Sequence, residues 1–340
     1  MRDIYGSLVI PLSIIVILNV ALFILIRTRV LQRLGLSKNL ITVLLAVTLI
    51  PVICIVVVNE RKISSILYTE ICEKLVSVGR TRSLFIEATL EEVKLDTESI
   101  AKNWIVMEVL RQISLEKTSK TDPDFSTTVK NAQGHLNRIA TTKGYDDIML
   151  ISAEGRIELT CTEHSAEVGF DVSSDDYFKE GKEKTYFTDL FYNKFANKTL
   201  MYVVTPCIDE QGRFVGCVIV EVGLKRINHV LIDREGLEET GETYIVNRDK
   251  LMVSESRFLK DTVLRVKVDT HGTNEGLSGK TGVAIYPDYR NLPVVGSWHP
   301  IKYNNWVLLA ELDEAEAFAP VGINRLYQII LVSGAIVMVV

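Results

Sequence analysis

The stretch Thr199–Leu224, TLMYVVTPCIDEQGRFVGCVIVEVGL, decides how the rest of the chain is read. It divides into two apolar runs, Leu200–Ile208 and Arg213–Val222, around the polar turn Asp209-Glu210-Gln211-Gly212. That is the pattern of two strands joined by a glycine-bearing loop. Both runs are almost continuously apolar, so the strands belong in the middle of a sheet covered on both faces. Pairing them about the turn puts Cys207 opposite Phe214 and Cys217 on the other face, which argues against a disulfide between the two cysteines. One carboxylate, Glu221, interrupts the second run. Such a charge either reaches water or a partner at the strand end, or lines a pocket on one face of the sheet.

Outward from this hairpin, the 340 residues carry a net charge of −5, with 47% hydrophobic and 24% charged residues. A mean hydropathy of +0.20 is high for that share of charge and comes from apolar runs at both ends. Leu8–Ile26 and Leu40–Val58 contain no charged residue. At about 1.5 Å per helical residue each spans roughly 28 Å, close to the thickness of a bilayer's hydrocarbon core. Arg27-Thr28-Arg29 follows the first run where a cleaved leader would have small residues, so the run is read as an anchor. The loop 27–39 holds Arg27, Arg29, Arg33 and Lys38 and no acid, which makes it cytoplasmic. Residues 1–58 are thus two transmembrane helices, and the chain after them is exported. Residues 323–340, with the charge-free run Leu326–Val340, are expected to begin a third span that the sequence cuts short. The expected location is the plasma membrane, multi-pass, with about 59–322 extracytoplasmic and the lipid bilayer as a partner.

From Glu60 to Glu116 there is no proline and one glycine, Gly79. Ile63, Ile66, Leu67, Ile71, Leu75 and Val78 recur at three- and four-residue steps, and the pattern resumes through Phe85, Ala88, Ile100, Trp104, Leu110 and Ile113. Residues 59–118 are therefore one long helix, or two nearly collinear ones broken near Asp96–Glu98. A helix this long without its own core must pack against a domain, a second copy, or both. Beyond the turn-rich Thr118–Ser126, a short helix is expected over Val129–Ala140. Strands follow at Tyr145–Ser152 and Ile157–Cys161, then a short helix at Ser173–Lys179 and a strand at Lys184–Asp189. Glu239–Glu255 reads as strand, turn, strand; Gly282–Tyr286 as a strand; and Leu292–Ile301 with Asn305–Leu312 as a second hairpin. Both hairpins run strand, proline, polar turn, strand, with Pro206 in one and Pro300 in the other. This repeated layout predicts an α+β chain with two tandem antiparallel-sheet modules of the PAS-like kind, 119–232 and 233–322.

Several chemistries lack their residues. The cysteines, Cys54, Cys72, Cys161, Cys207 and Cys217, form no CxxC pair. The histidines, His135, His164, His229, His271 and His299, are scattered, so no metal or cofactor site is read. Gly236–Gly241 has no lysine and is no phosphate loop. There is no G-x-S-x-G, no nucleophile–base set and no basic patch for nucleic acid, so no catalytic residue is assigned within 1–340.

Three stretches carry a resemblance. Phe214–Val222 (FVGCVIVEV) follows the proline–turn–glycine hairpin, Gly236–Asn247 (GLEETGETYIVN) opens the second module, and Tyr286–Gly296 (YPDYRNLPVVG) is close to a DYRG-x-PV-x-G signature with Asn291 at the glycine. Over roughly 59–320 the chain resembles the double Cache family, extracytoplasmic sensor domains of bacterial transmembrane receptors. The resemblance implies a ligand pocket in the membrane-distal module, on the sheet face opposite the long helix. Tyr177 and Phe178 match the family's aromatic pair, Phe187 and Asp189 its Tyr-x-Asp, and Glu221 its strand aspartate. Tyr202 and Thr205 are expected to add hydrogen bonds. The position of the family's ligand-clamping arginine falls on Asp175, which removes the fork for a carboxylate. Aromatics beside Asp189 and Glu221, with Asp175 and Asp176 near, favour a cationic amine. The family also implies a homodimer paired through the long helices and a cytoplasmic output in cis. A sensor histidine kinase is the first expectation for that output; a methyl-accepting chemoreceptor, a nucleotide-cyclase sensor and a structural membrane protein are the alternatives.

Overall fold

The computed structural model describes residues 38–114, 123–162, 167–233, 236–323 and 327. Among the described residues no helix is long and apolar enough to cross a membrane. The expected spans Leu8–Ile26 and Leu326–Val340 lie outside the described residues, apart from Tyr327, and Leu40–Val58 is described as helical backbone up to residue 56. The chain divides into two compact units, Lys74–Asp313 and the pair of segments Met1–Glu73 and Glu314–Val340. Within the latter, the Tyr68 ring stacks on Phe318 with centroids 6.5 Å apart.

The first helix, α1, runs Lys38–Ala101. In the larger unit it buries Leu75, Ile86, Leu90, Val93 and Ile100, positions at three-, four-, seven- and eleven-residue steps on one face. The break anticipated at Asp96–Glu98 falls later, at Lys102-Asn103, where the Asn103 side chain accepts the Ile105 N–H at 3.0 Å and starts α2, Trp104–Ser114. Asp96 stays helical and holds Lys143 at 2.9 Å. The helix expected at Val129–Ala140 is longer, α3, Pro123–Lys143.

The first sheet contains β1 Asp147–Ser152, β2 Ile157–Thr160, β3 Tyr186–Phe187, β4 Phe191–Asn193, β5 Lys198–Ile208 and β6 Phe214–Gly223, with α4, Asp176–Glu183, between β2 and β3. Its order is β2-β1-β6-β5-β3, with β4 also on β5, so the hairpin quoted above does occupy the centre. Ile148, Leu150, Val203, Val218 and Val220 face α1, α2 and α3; Met149, Ile151, Val204, Cys217 and Ile219 face α4 and its flanking loops. The hairpin register differs from the expectation in one place. Cys207 lies opposite Gly216, and Ile208 opposite Phe214, because Val215 is an extra residue in a bulge. Gly216 there has φ 147, and a Cβ on it would stand 2.2 Å from the Ile151 carbonyl oxygen. Cys207 and Cys217 are free, buried, and on opposite faces. The strand expected over Lys184–Asp189 shrinks to the two residues of β3, since Thr188 and Asp189 spend their polar groups on other contacts, described below.

After α5, Lys225–Ile232, the second sheet has order β7-β10-β9-β8, from β7 Glu242–Val246, β8 Gly282–Pro287, β9 Pro293–Ile301 and β10 Trp306–Asp313, with α6, His271–Leu277, beside it. The second half of Glu239–Glu255 forms isolated bridges, Val246 to Met252 and Leu251 to Lys267, instead of a full strand. The Asn247 side chain accepts the Asp249 and Leu251 N–H groups and turns the chain away. Two antiparallel sheets with flanking helices, an α+β architecture of two modules, are thus present. A short helix, α7, Glu314–Ala317, follows β10.

Gly216→Ala should lower the thermal midpoint sharply, by an amount equivalent to about 3 kcal/mol, since it adds both positive-φ strain and a backbone clash. Gly212→Ala, at φ 78 with open space around the new Cβ, should cost only about 1 kcal/mol. Equal losses in thermal melts of the two variants would rule out the bulge as the cause.

A candidate ligand site on the first sheet

Side chains alternate along a strand, so residues paired across β1, β6 and β5 point to the same face. Asp147 pairs with Glu221, and Glu221 with Tyr202, forming a polar row across the middle of the sheet on the side away from α1. All three are buried, with Glu221 only 4% exposed. Two residues from the adjoining loop and edge strand complete the cluster. The Asn193 amide donates to Glu167 Oε1 at 2.9 Å, to the Tyr202 hydroxyl at 2.9 Å, and lies 3.5 Å from Glu221 Oε1. Its own carbonyl oxygen accepts the Phe195 and Ala196 N–H groups, which fixes the amide's orientation. The Tyr202 hydroxyl and the Glu221 carboxylate are thus linked through this one amide. Tyr177 and Phe191 stand edge-on to the Tyr202 ring at 5.3 and 4.8 Å, walling the row with aromatic surface.

The electrostatics follow from that burial. Desolvation, then the like charges of Glu167 and Asp147, push the Glu221 carboxyl up to about 8. Lys198 opposes them, but its ammonium is engaged at 2.7 Å by Asp146. Glu167 is also raised, again mainly by burial. Asp147 is held by the Cys161 N–H at 2.9 Å and the Thr162 hydroxyl at 2.8 Å. Burial beside Asp147 pushes the Cys161 thiol up to about 12, so it is an inert neighbour.

Of the residues singled out in the sequence, the structure brings Tyr177, Tyr202 and Glu221 together. Thr205 lies on the opposite face, where its hydroxyl meets Thr185, which donates to Glu98 of α1 at 3.0 Å. Phe187 also faces that side and packs on the Tyr303 ring at 4.8 Å. Both oxygens of Asp189 are taken by the second module: Oδ1 accepts the Trp306 indole N–H and Oδ2 the Asn247 amide, each at 2.9 Å. Phe178 is core, and Asp175 sits at the N-cap of α4 without a side-chain capping bond. Glu167, Asn193 and Asp147 were not singled out from sequence. Asp147 was accessible there, since it shares strand parity with the buried Met149 and Ile151; Glu167 lies in a loop and Asn193 ends the three-residue β4, too short to show a period.

The second module repeats the arrangement with a different outcome. Glu311 of β10 pairs with Glu242 of β7, as Glu221 does with Asp147. Here the chain itself satisfies the acids. Tyr244 and Tyr286 donate to the two Glu311 oxygens at 2.9 and 2.8 Å, and Glu242 accepts the Tyr289 hydroxyl at 2.7 Å and the Arg257 N–H at 2.6 Å. Cβ atoms on Gly272 and Gly296 would stand 2.4 and 2.2 Å from the Tyr286 hydroxyl, so this space is filled. Burial pushes Glu311 up to about 8 as well. Asp288, Arg290 and Asp313 tie the following loop, with both Arg290 bonds at 2.6 Å, and Asn291 takes φ 62 where the signature has glycine. Among the described residues no group of three or more His, Cys, Asp or Glu is placed to hold a metal ion.

Fold and site together define a tandem two-module α+β domain with a buried acidic cluster on the first sheet. The family described as Cache domain matches residues 69–321, and the chain belongs to it, in the double Cache form. Among solved structures it is similar to the sensor domain of the V. cholerae histidine kinase DctB, at 11% identity and TM-score 0.56, covering 73% of this chain and 98% of that one. It is similar too to the ligand-binding domain of the Pseudomonas fluorescens chemoreceptor CtaA in complex with L-isoleucine, at 17% identity and TM-score 0.52, covering 77% and 98%. The Pseudomonas aeruginosa PAO1 chemoreceptor PctB, in complex with L-Arg, gives 14% identity and TM-score 0.52, covering 74% and 98%. At these identities the likeness is one of fold. No curated protein matches the sequence.

The two carboxyls pushed up to about 8, Glu221 and Glu311, set a pH dependence. A carboxyl held protonated in the fold contributes stability fully below its unfolded value, and loses it as pH rises through the folded value of about 8. The thermal midpoint of the parent should therefore fall between about pH 5 and pH 8.5. Glu221→Gln, neutral throughout, should fall less and be the more stable protein at the upper end. A Gln variant that tracks the parent at every pH would show that Glu221 is ionised in the fold.

Proposed function

We propose that the chain is the sensory part of a transmembrane receptor whose membrane-distal module binds an extracytoplasmic small molecule carrying a cationic amine. The observation that carries this reading is the contrast between the two buried acid pairs. Glu311 is capped by two phenols of its own chain, whereas Glu221 lies among Asp147 and Glu167 with its opposing cation, Lys198, engaged elsewhere. Burying like charges is costly unless one is protonated or a cation arrives. An ammonium over Glu221, flanked by the Tyr177 and Tyr202 rings, meets that need. The molecules in the CtaA and PctB complexes, L-isoleucine and L-Arg, each carry an ammonium group, which supports the choice. They also carry a carboxylate, and Asp175 offers no clamp for one. Tyr177, Tyr202 and Glu221, with Glu167 and Asn193, form the proposed contact set; Thr205, Phe187 and Asp189 lie outside it.

The topology proposed is that of the hydropathy reading: two N-terminal spans, the domain outside, and a third span leading to a cytoplasmic output. The DctB likeness supports a histidine kinase output, and the CtaA and PctB likenesses a chemoreceptor as the second reading. Two copies are proposed to pair along α1, where Leu84, Phe85, Ala88 and Leu95 are exposed at three-, four- and seven-residue steps.

Thermal-shift and calorimetric titration of the full chain in detergent, with mono- and diamines, amino acids and dicarboxylates, tests the ligand class. Amines should bind, and Glu221→Gln should weaken them by about tenfold or more, as loss of a charge-assisted bond does. Binding by dicarboxylates alone, unaffected by that change, would sink the cationic reading. In sedimentation at matched concentration, Leu84→Glu with Phe85→Glu should convert a dimer into a monomer; an unchanged dimer would place the pairing surface elsewhere.

A further inference from the structure

We infer that the Lys302–Trp306 turn between β9 and β10 relays the state of the distal pocket to α1, with Asp189 as the linking residue. The inference rests on the pocket reading proposed above. Tyr202 belongs to the pocket through its side chain and to the sheet edge through its backbone. Its hydroxyl shares the Asn193 amide with Glu221, while its N–H donates to the Thr188 hydroxyl at 2.8 Å and its carbonyl accepts the Thr188 N–H at 2.9 Å. Thr188 and the next residue face the second module. The Thr188 carbonyl accepts the Asn304 amide at 2.8 Å, and Asp189 accepts Trp306 and Asn247. The far side of the same turn grips α1. The Lys302 N–H donates to Glu87 Oε1 at 2.7 Å, the Lys302 ammonium is 3.7 Å from Glu91, and the Tyr303 hydroxyl bonds Glu91. The Tyr303 ring packs on Phe187 of β3, which closes the circuit.

Three elements therefore meet on one short turn, and two features make it a relay rather than a strut. Asn304 and Asn305, at φ 57 and 50, lie in the left-handed region of the four-residue loop between the paired Ile301 and Trp306, which the Trp306 N–H bond to the Tyr303 carbonyl at 3.3 Å keeps compact. On the pocket side, β3 is only two residues long, so the edge is free to shift at small cost. An ammonium on Glu221 competes with the Asn193 amide for the carboxylate, and that amide also holds the Tyr202 hydroxyl. The bound and empty pockets then differ in where Tyr202 sits, and a ligand shifts an equilibrium only through such a difference. Coupling needs a connected element with two arrangements, and Tyr202, Thr188, Asp189 and Trp306 are connected by hydrogen bonds and by the Thr188–Asp189 peptide.

Hydrogen exchange read by mass spectrometry on the full chain in detergent tests this, with peptides over 302–306 and 84–92. The measurement is made at about pH 8.5, where the parent Glu221 carboxyl is ionised, so that Glu221→Gln removes a charge; 1,4-diaminobutane is the soluble probe. Glu221→Gln should change exchange at 302–306 and 84–92 by about fivefold or more. That change should persist with Asp189→Asn, which keeps an acceptor for the indole, and vanish with Asp189→Ala. Trp306→Phe, which deletes only the N–H and keeps a ring in the core, should also abolish it and stands in if Asp189→Ala melts the joint. A response that survives both Asp189→Ala and Trp306→Phe overturns the relay, as does a change confined to peptides of β5 and β6. If the diamine moves nothing while Glu221→Gln gives the Asp189-dependent pattern, the amine reading falls and the relay stands.

Discussion

The structure turns on the burial of carboxylates in the middle of two sheets. Moving an ionised carboxylate away from water costs several kcal/mol unless it is protonated, paired or hydrogen-bonded. Each module meets that constraint on the face away from α1, at the same cross-strand position, and each arrives at a different remedy. In the proximal module two tyrosine hydroxyls complete Glu311. In the distal module the remedy is an asparagine shared among Glu167, Tyr202 and Glu221. The pH response and the proposed ligand class both follow from that difference.

How far the sequence discloses this depends on the kind of signal. Continuous apolar runs reported the two central strands of the first sheet, and helical periodicity reported α1, because burial on a regular element leaves a regular trace. The Val215 bulge left no trace, as inserting one residue does not disturb a run that is apolar throughout. The shortened β3 was likewise hidden, since Thr188 and Asp189 are diverted by partners more than fifty residues away. Glu221 stood out as the lone charge of its strand. Asn193 and Glu167 did not, because a loop or a three-residue strand carries polar residues for many reasons and only the fold shows which of them turn inward. Asp189 illustrates the opposite case: its spacing matched a ligand contact, and tertiary structure gave its oxygens to Trp306 and Asn247.

Single residues reconcile demands that the elements make jointly. Gly79, the one glycine in the length of α1 between Glu60 and Ala101, sits where the His299 ring of β9 approaches; a Cβ there would lie 2.5 Å from the imidazole. Helix propensity is sacrificed at that position for close approach of the second sheet, and the Ser297 hydroxyl beside it donates to the Leu75 carbonyl at 3.0 Å. The same logic places Asn291, Asn304 and Asn305 at positive φ in the two turns flanking β9 and leaves Gly216 at the bulge.

The self-completed Glu311 has a consequence at the level of the whole domain. A partner tethered to its own chain is present at a fixed effective concentration, whatever the surroundings contain. On the proposed reading the proximal acid pair is a site whose occupant never leaves, and the distal pair is its counterpart with an exchangeable occupant. Two nearly equivalent sheets built this way would act like the arms of a balance, one permanently loaded and one loaded by the ligand. What such an instrument reports is a difference, so temperature or salt that loosens both arms alike tends to cancel, and a molecule that enters only one does not.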